Sequence, residues 1–168
     1  MRKIITLAIM FSFTFVPAQD IEFIQKEIDQ TLWKPFKAAF ENLDAEKLNL
    51  LYASEVLRVT PGGIDTENSF KNANFERLNG HKMRNTALQL DFWFDSRHTN
   101  ANASYDVGFY RMVLTNTHGV DVIYGQFHIV LKKMNGIWKI TQDWDTSSIN
   151  GKDISVADFE RQKPMRFD

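Results

Sequence analysis

The dipeptide Asn135-Gly136 stands between two long stretches in which apolar and polar residues alternate. Both central positions of a two-residue type I′ turn need positive φ, so Asn-Gly here predicts a tight antiparallel hairpin. The strands it would join are Val120 to Lys133 and Ile137 to Thr146. Upstream, Tyr105 to Thr115 reads as a strand that ends at the turn Asn116-Thr117-His118-Gly119. Leu88, Leu90, Phe92 and Phe94 alternate with Gln89, Asp91, Trp93 and Asp95, which predicts another. Residues 86–148 are therefore expected to form a four-stranded antiparallel meander.

The half of the chain before this meander has a different period. Ile21, Ile24, Ile28, Leu32, Phe36 and Phe40 recur every three or four residues, predicting a helix over 21–41 that Pro35 should bend or split. Asp44 is placed to cap a short second helix, Ala45 to Tyr52. Val56 to Thr60 reads as a strand ended by the turn Pro61-Gly62-Gly63. A third helix is expected from Asp65 or Thr66 to about Leu78, with Phe70, Ala73 and Phe75 inward and Asn79-Gly80 as its stop. Beyond Asn150-Gly151 a polar tail should fray, apart from a short helix at Ser155 to Arg161. Helices followed by strands indicate an α+β domain.

The start of the chain has the three-part layout of a secretory signal peptide: Met1-Arg2-Lys3, an apolar run from Ile4 to Phe15, and Val16-Pro17-Ala18 before Gln19. The run is too short to span a bilayer comfortably, and no second apolar run of that length follows. The expected organisation is a signal peptide at 1–18, one domain at 19–150 and a C-terminal tail at 151–168. The mature protein would be exported, periplasmic or extracellular, with no integral membrane segment after cleavage.

Composition removes several functions. The chain has no cysteine, which excludes thiol catalysis, Cys-ligated zinc, iron–sulfur clusters and disulfides. A net charge of −1 offers no field for nucleic acid. His81, His98, His118 and His128 fall in no close metal-ligand spacing, and no Gly-rich phosphate loop or G-x-S-x-G sequence occurs. Neither a cofactor nor a metal is expected.

The stretch Tyr124-Gly125-Gln126-Phe127-His128-Ile129-Val130-Leu131-Lys132-Lys133-Met134-Asn135-Gly136-Ile137-Trp138-Lys139-Ile140 resembles the hairpin of SnoaL-like proteins. Phe36-Lys37-Ala38-Ala39-Phe40-Glu41-Asn42-Leu43-Asp44, leading to Leu48 and Leu51-Tyr52, is similar to the opening helices of the same group, the nuclear transport factor 2-like superfamily. The resemblance spans residues 25 to 148. It implies N-terminal helices packed on a strongly curved antiparallel sheet, a cone-shaped α+β barrel. It also implies a homodimer through the outer sheet face, near Gln126, His128 and Val130. The superfamily hosts isomerases, cyclases, dehydratases, hydrolases and non-catalytic binding domains.

Strand parity puts Trp138, Ile140, Gln142 and Trp144 on one face of the last strand and Asp143 and Asp145 on the other. If the tryptophan face lines the cone, both aspartates point away from it. The expected ligand pocket is then lined by Trp33, Phe36 and Trp138 and bordered by Tyr52, Tyr110, Gln142 and Trp144. The alternative is that these rings simply fill the core. Three functions stay open: an exported domain binding a hydrophobic small molecule, an isomerase-type enzyme transferring protons on such a molecule, and a dimeric assembly module without ligand. A carboxylate projecting into the pocket would separate the second from the first.

Overall fold

A computed structural model describes residues 18–167. The signal-peptide expectation lies outside the described residues except for Ala18. Helix α1, Ala18–Ile28, runs through a π-helical turn, Asp29–Trp33, into α2, Lys34–Glu41. The wide turn answers the proline: the Lys34 amide reaches back to the Asp29 carbonyl, and Pro35 falls in the first turn of α2, where its missing N–H costs least. Ile28, Leu32, Trp33 and Ala39 form the buried stripe of this rod.

Asp44 caps α3, Ala45–Leu50, by accepting a 3.0 Å hydrogen bond from the Lys47 amide. Tyr52 does not end this helix; it begins strand β1, Tyr52–Thr60, which turns back through β2, Gly63–Asp65. Helix α4 is Ser69–Met83, starting later than expected, although Asp65 still accepts from the Phe70 amide at 2.7 Å. It also runs past Gly80 and stops where Asn85 takes φ 51°. Its buried residues are Phe70, Asn74 and Leu78, while Phe75 faces outward. Among the described residues no helix is long and apolar enough to cross a membrane.

Strands β3 (Ala87–Thr99), β4 (Ala103–Asn116), β5 (Gly119–Met134) and β6 (Ile137–Thr146) form the antiparallel meander. Asn135 and Gly136 have φ of 51° and 81°, as a type I′ turn requires. The whole sheet has six strands in the order β2-β1-β6-β5-β4-β3. β1 joins β6 in parallel, so the sheet is mixed, and it is not closed into a barrel. Register slips in β3 between Phe94 and Ser96, and between β5 and β6, bend it around the helices.

Two glycines let large rings lie on the inner surface. A Cβ on Gly108 would sit 2.2 Å from the Trp93 carbonyl oxygen and 2.5 Å from the Phe127 ring. One on Gly125 would sit 2.4 Å from the Tyr110 ring.

The C-terminal segment is docked, not frayed. After the short pair β7 (Ser148–Ile149) and β8 (Lys152–Asp153), helix α5, Val156–Phe159, lies on the outer face of the sheet. Ile154 and Phe159 bury Trp93 and Phe109 there, and the Trp93 indole donates to the Phe159 carbonyl at 2.7 Å. The Met165 amide then donates to the Phe92 carbonyl on edge strand β3, and Phe167 packs against the main core. Apolar residues spaced through a polar tail hold it down.

Candidate functional site

The last slip in register decides what faces the cone. Leu131 pairs with Ile140, but Val130 pairs with Gln142, leaving Thr141 as an extra residue in β6. Its hydroxyl donates to the Val130 carbonyl at 3.1 Å, which holds the bulge. One extra residue reverses the side-chain alternation downstream. Trp138 and Ile140 point inward, and beyond Thr141 the inward residues are Asp143 and Asp145.

These aspartates meet a half-open cavity of about 110 Å³ between the helices and the sheet. Trp33, Phe36, Phe40, Phe92, Met112 and Phe127 make its apolar wall. Asp143 is buried and doubly hydrogen-bonded: Oδ2 accepts from the Tyr52 hydroxyl at 2.8 Å and from Arg58 Nη1 at 2.8 Å. Asp145 is half-buried and accepts from the Tyr110 hydroxyl at 2.9 Å. Among the described residues it has no ion-pair partner within 4.0 Å. Burial pushes the Asp145 carboxyl above the usual aspartate range; the Tyr110 hydrogen bond pulls it back and the Asp143 charge pushes it further up. Burial and the neighbouring carboxylates push the Tyr52 and Tyr110 phenols up as well, so both remain donors. Arg77, on α4, reaches the same cavity and lays its guanidinium 5.4 Å over the Phe40 ring.

A second polar cluster, built around Asp106, is closed. Asp106, fully buried, accepts from Trp33 Nε1 at 2.9 Å, the Ser104 hydroxyl at 2.6 Å and Arg97 Nη2 at 3.1 Å. Arg97 also pairs with Asp29 at 2.8 Å. Among the described residues no three His, Asp or Glu side chains are grouped to hold a metal ion.

No protein-family model matches the chain, and no curated protein matches it in sequence. Solved structures do match. A function-unknown protein from Mycobacterium tuberculosis aligns with a TM-score of 0.63 at 14% identity, over 87% of this chain and 82% of its own. An NTF-2 like protein of unknown function from Shewanella oneidensis aligns with a TM-score of 0.59 at 18% identity, over 73% and 98%. The fold is nuclear transport factor 2-like. A ketosteroid isomerase-like protein from Erwinia carotovora atroseptica shares it, with a TM-score of 0.54 at 15% identity over 73% and 95%.

Within this nuclear transport factor 2-like cone, the residues proposed from sequence are distributed over three places. Trp33, Phe36, Tyr52 and Tyr110 line the cavity. Trp138 is buried in the core and does not reach the cavity, and Lys133 lies 5.6 Å over its ring. Gln142 and Trp144 correct the parity expectation: the Thr141 bulge turns them to the outer face, where Trp144 is 44% exposed. Both border a broad outer groove with Tyr105, His128 and Val130. There the Tyr105 hydroxyl and His128 Nδ1 are 2.6 Å apart.

Four charged cavity residues were missed or misplaced by sequence reasoning: Arg58, Arg77, Asp143 and Asp145. Arg77 follows Phe70 and Asn74 by seven and three residues, so helical spacing already puts it on the inward face. In β1 the alternation misleads, because the apolar Val59 borders the outer groove while Arg58 reaches the cavity. For the aspartates no residue type signals the bulge, since Thr141 is an ordinary strand residue.

Proposed function

We propose that the cone binds a small, largely apolar molecule and that Asp145 exchanges a proton with it, Tyr110 holding the carboxyl in place. The observation that carries this reading is the contrast between two aspartates two residues apart. Asp143 is neutralised by Arg58 and bonded by Tyr52, whereas Asp145 faces an apolar cavity with a single tyrosine as donor. A partly buried carboxyl held above the usual aspartate range beside an apolar cavity is suited to acid–base work. In the ionised form Asp145 takes a proton from an acidified C–H of the ligand, and as the neutral acid it returns that proton to another atom. The isomerase-like neighbour supports the direction by fold analogy alone.

The test uses 5-nitrobenzisoxazole, which loses a ring C–H proton to a base and opens to a coloured phenolate. Wild type should exceed Asp145→Asn by about 10²-fold, the lower range for a positioned general base. Equal rates, with saturable quenching of tryptophan fluorescence showing the probe bound, would remove the proton-transfer assignment. That outcome would leave a binding domain without chemistry, the reading the apolar wall favours by itself.

Export and association complete the proposal. The leader at 1–18 supports export to the periplasm or beyond, with the mature chain starting at Gln19; recovered protein still carrying Met1 would refute it. Gln126, His128 and Val130 lie on the outer face beside exposed Trp144, which supports a homodimer there. A monomer in sedimentation at high micromolar concentration would remove it.

A further inference from the structure

Resting on the small-molecule reading above, the geometry points to a carboxylate on that ligand, received by Arg77. The two arginines at the cavity are not equivalent. Arg58 has its counter-charge in Asp143 at 2.8 Å. Among the described residues Arg77 has no carboxylate within 4.0 Å; its partners are the Asn74 side-chain oxygen at 3.0 Å and the Phe40 ring. A guanidinium carries five donors in a planar fork that matches a carboxylate edge. Stacking on Phe40 orients that fork beside the cavity, and its one side-chain hydrogen bond, to Asn74, leaves most of its edge uncommitted.

The cavity accommodates the rest of such a molecule. Its volume of about 110 Å³ is somewhat below the ~150 Å³ of an apolar cavity that binds benzene. Arg77 and Phe40 lie side by side in the lining of this half-open cavity. One ring or a branched chain would sit against Phe36, Phe92 and Met112, its carboxylate turned outward to Arg77. The acidified C–H that Asp145 needs would then lie on the buried part of the ligand.

Benzoate and benzamide share one shape and differ in charge, so their affinities for the full chain, measured by calorimetry, are decisive. Benzoate should bind at least about tenfold tighter than benzamide, the effect of one hydrogen-bonded charge pair. Arg77→Gln should erase that preference and leave benzamide unchanged, and Arg77→Lys should keep part of it. Because Arg77 keeps much of its own surface exposed, both variants should fold, which circular dichroism checks. Equal wild-type affinities, or benzoate binding untouched in Arg77→Gln, overturn the carboxylate inference while the cavity reading stands. Binding of neither probe overturns both.

Discussion

Asp106 and Asp145 both project into the cone, one from β4 and the other from β6, yet their surroundings differ in kind. Asp106 accepts from an indole, a hydroxyl and a guanidinium. Its hydroxyl partner is itself fed by a chain, with Gln25 donating to Thr99 at 3.0 Å and Thr99 lying 2.8 Å from Ser104. Since Ser104 donates onward to Asp106, its lone pairs receive from Thr99, and every link has one direction. Asp145 has Tyr110 and an apolar cavity. A buried carboxylate whose acceptor sites are filled holds other groups in place; one with sites to spare beside a cavity can act on something that enters. The cone thus separates support from chemistry, and Trp33 joins them, bonded to Asp106 by its nitrogen and lining the cavity with its rings.

The largest effect should come from breaking the closed cluster. Asp106→Ala leaves Arg97 and the Trp33 indole without their shared acceptor, and removing one member of a buried ion pair costs about 3–5 kcal/mol. Urea unfolding should show that loss. A change below about 1 kcal/mol would contradict the supporting role assigned to this end.

Asp145→Asn should act in the opposite sense, and its effect should depend on pH. Burial raises the folded-state pKa of Asp145, so the stability it contributes is fully present below about pH 3.9, the unfolded value. That contribution is lost as pH rises through the folded value. Relative to wild type, the variant should therefore gain stability between acid and neutral pH, in a matched series of denaturation curves. A wild-type advantage that grows with pH would mean Asp145 is stabilised as an anion, and the contrast with Asp106 would fail.

The sequence announces the meander and the opening helices because each has one period over many residues, and Asn135-Gly136 has few alternatives to a tight turn. The π-helical turn at Asp29–Trp33 is half legible, since Pro35 demands an adjustment without saying which. The parallel pairing of β1 with β6 is set by tertiary packing and has no local signal. The same holds for the bulge at Thr141, and its consequence is larger. One inserted residue exchanges Gln142 and Trp144 for Asp143 and Asp145 on the inner face, converting an aromatic pocket border into a carboxylate one. Parity arguments carry along a strand only as far as its register is regular.

The smallest effect separates the two tyrosines of the open end. Tyr110→Phe keeps the ring over Gly125 and removes one hydroxyl, so stability should fall by only about 1 kcal/mol. The hydrogen bond from Tyr110 lowers the Asp145 pKa, so its loss should raise that value further. In the 5-nitrobenzisoxazole assay the rate rises with pH as Asp145 ionises, and the midpoint should move upward in this variant. Tyr52→Phe removes a donor from Asp143 instead, where Arg58 remains at 2.8 Å to hold the charge. Its midpoint should stay near that of wild type. Equal shifts in both variants would show that the aspartates titrate as one coupled pair, and the division of labour between Asp143 and Asp145 would have to be replaced by a shared proton.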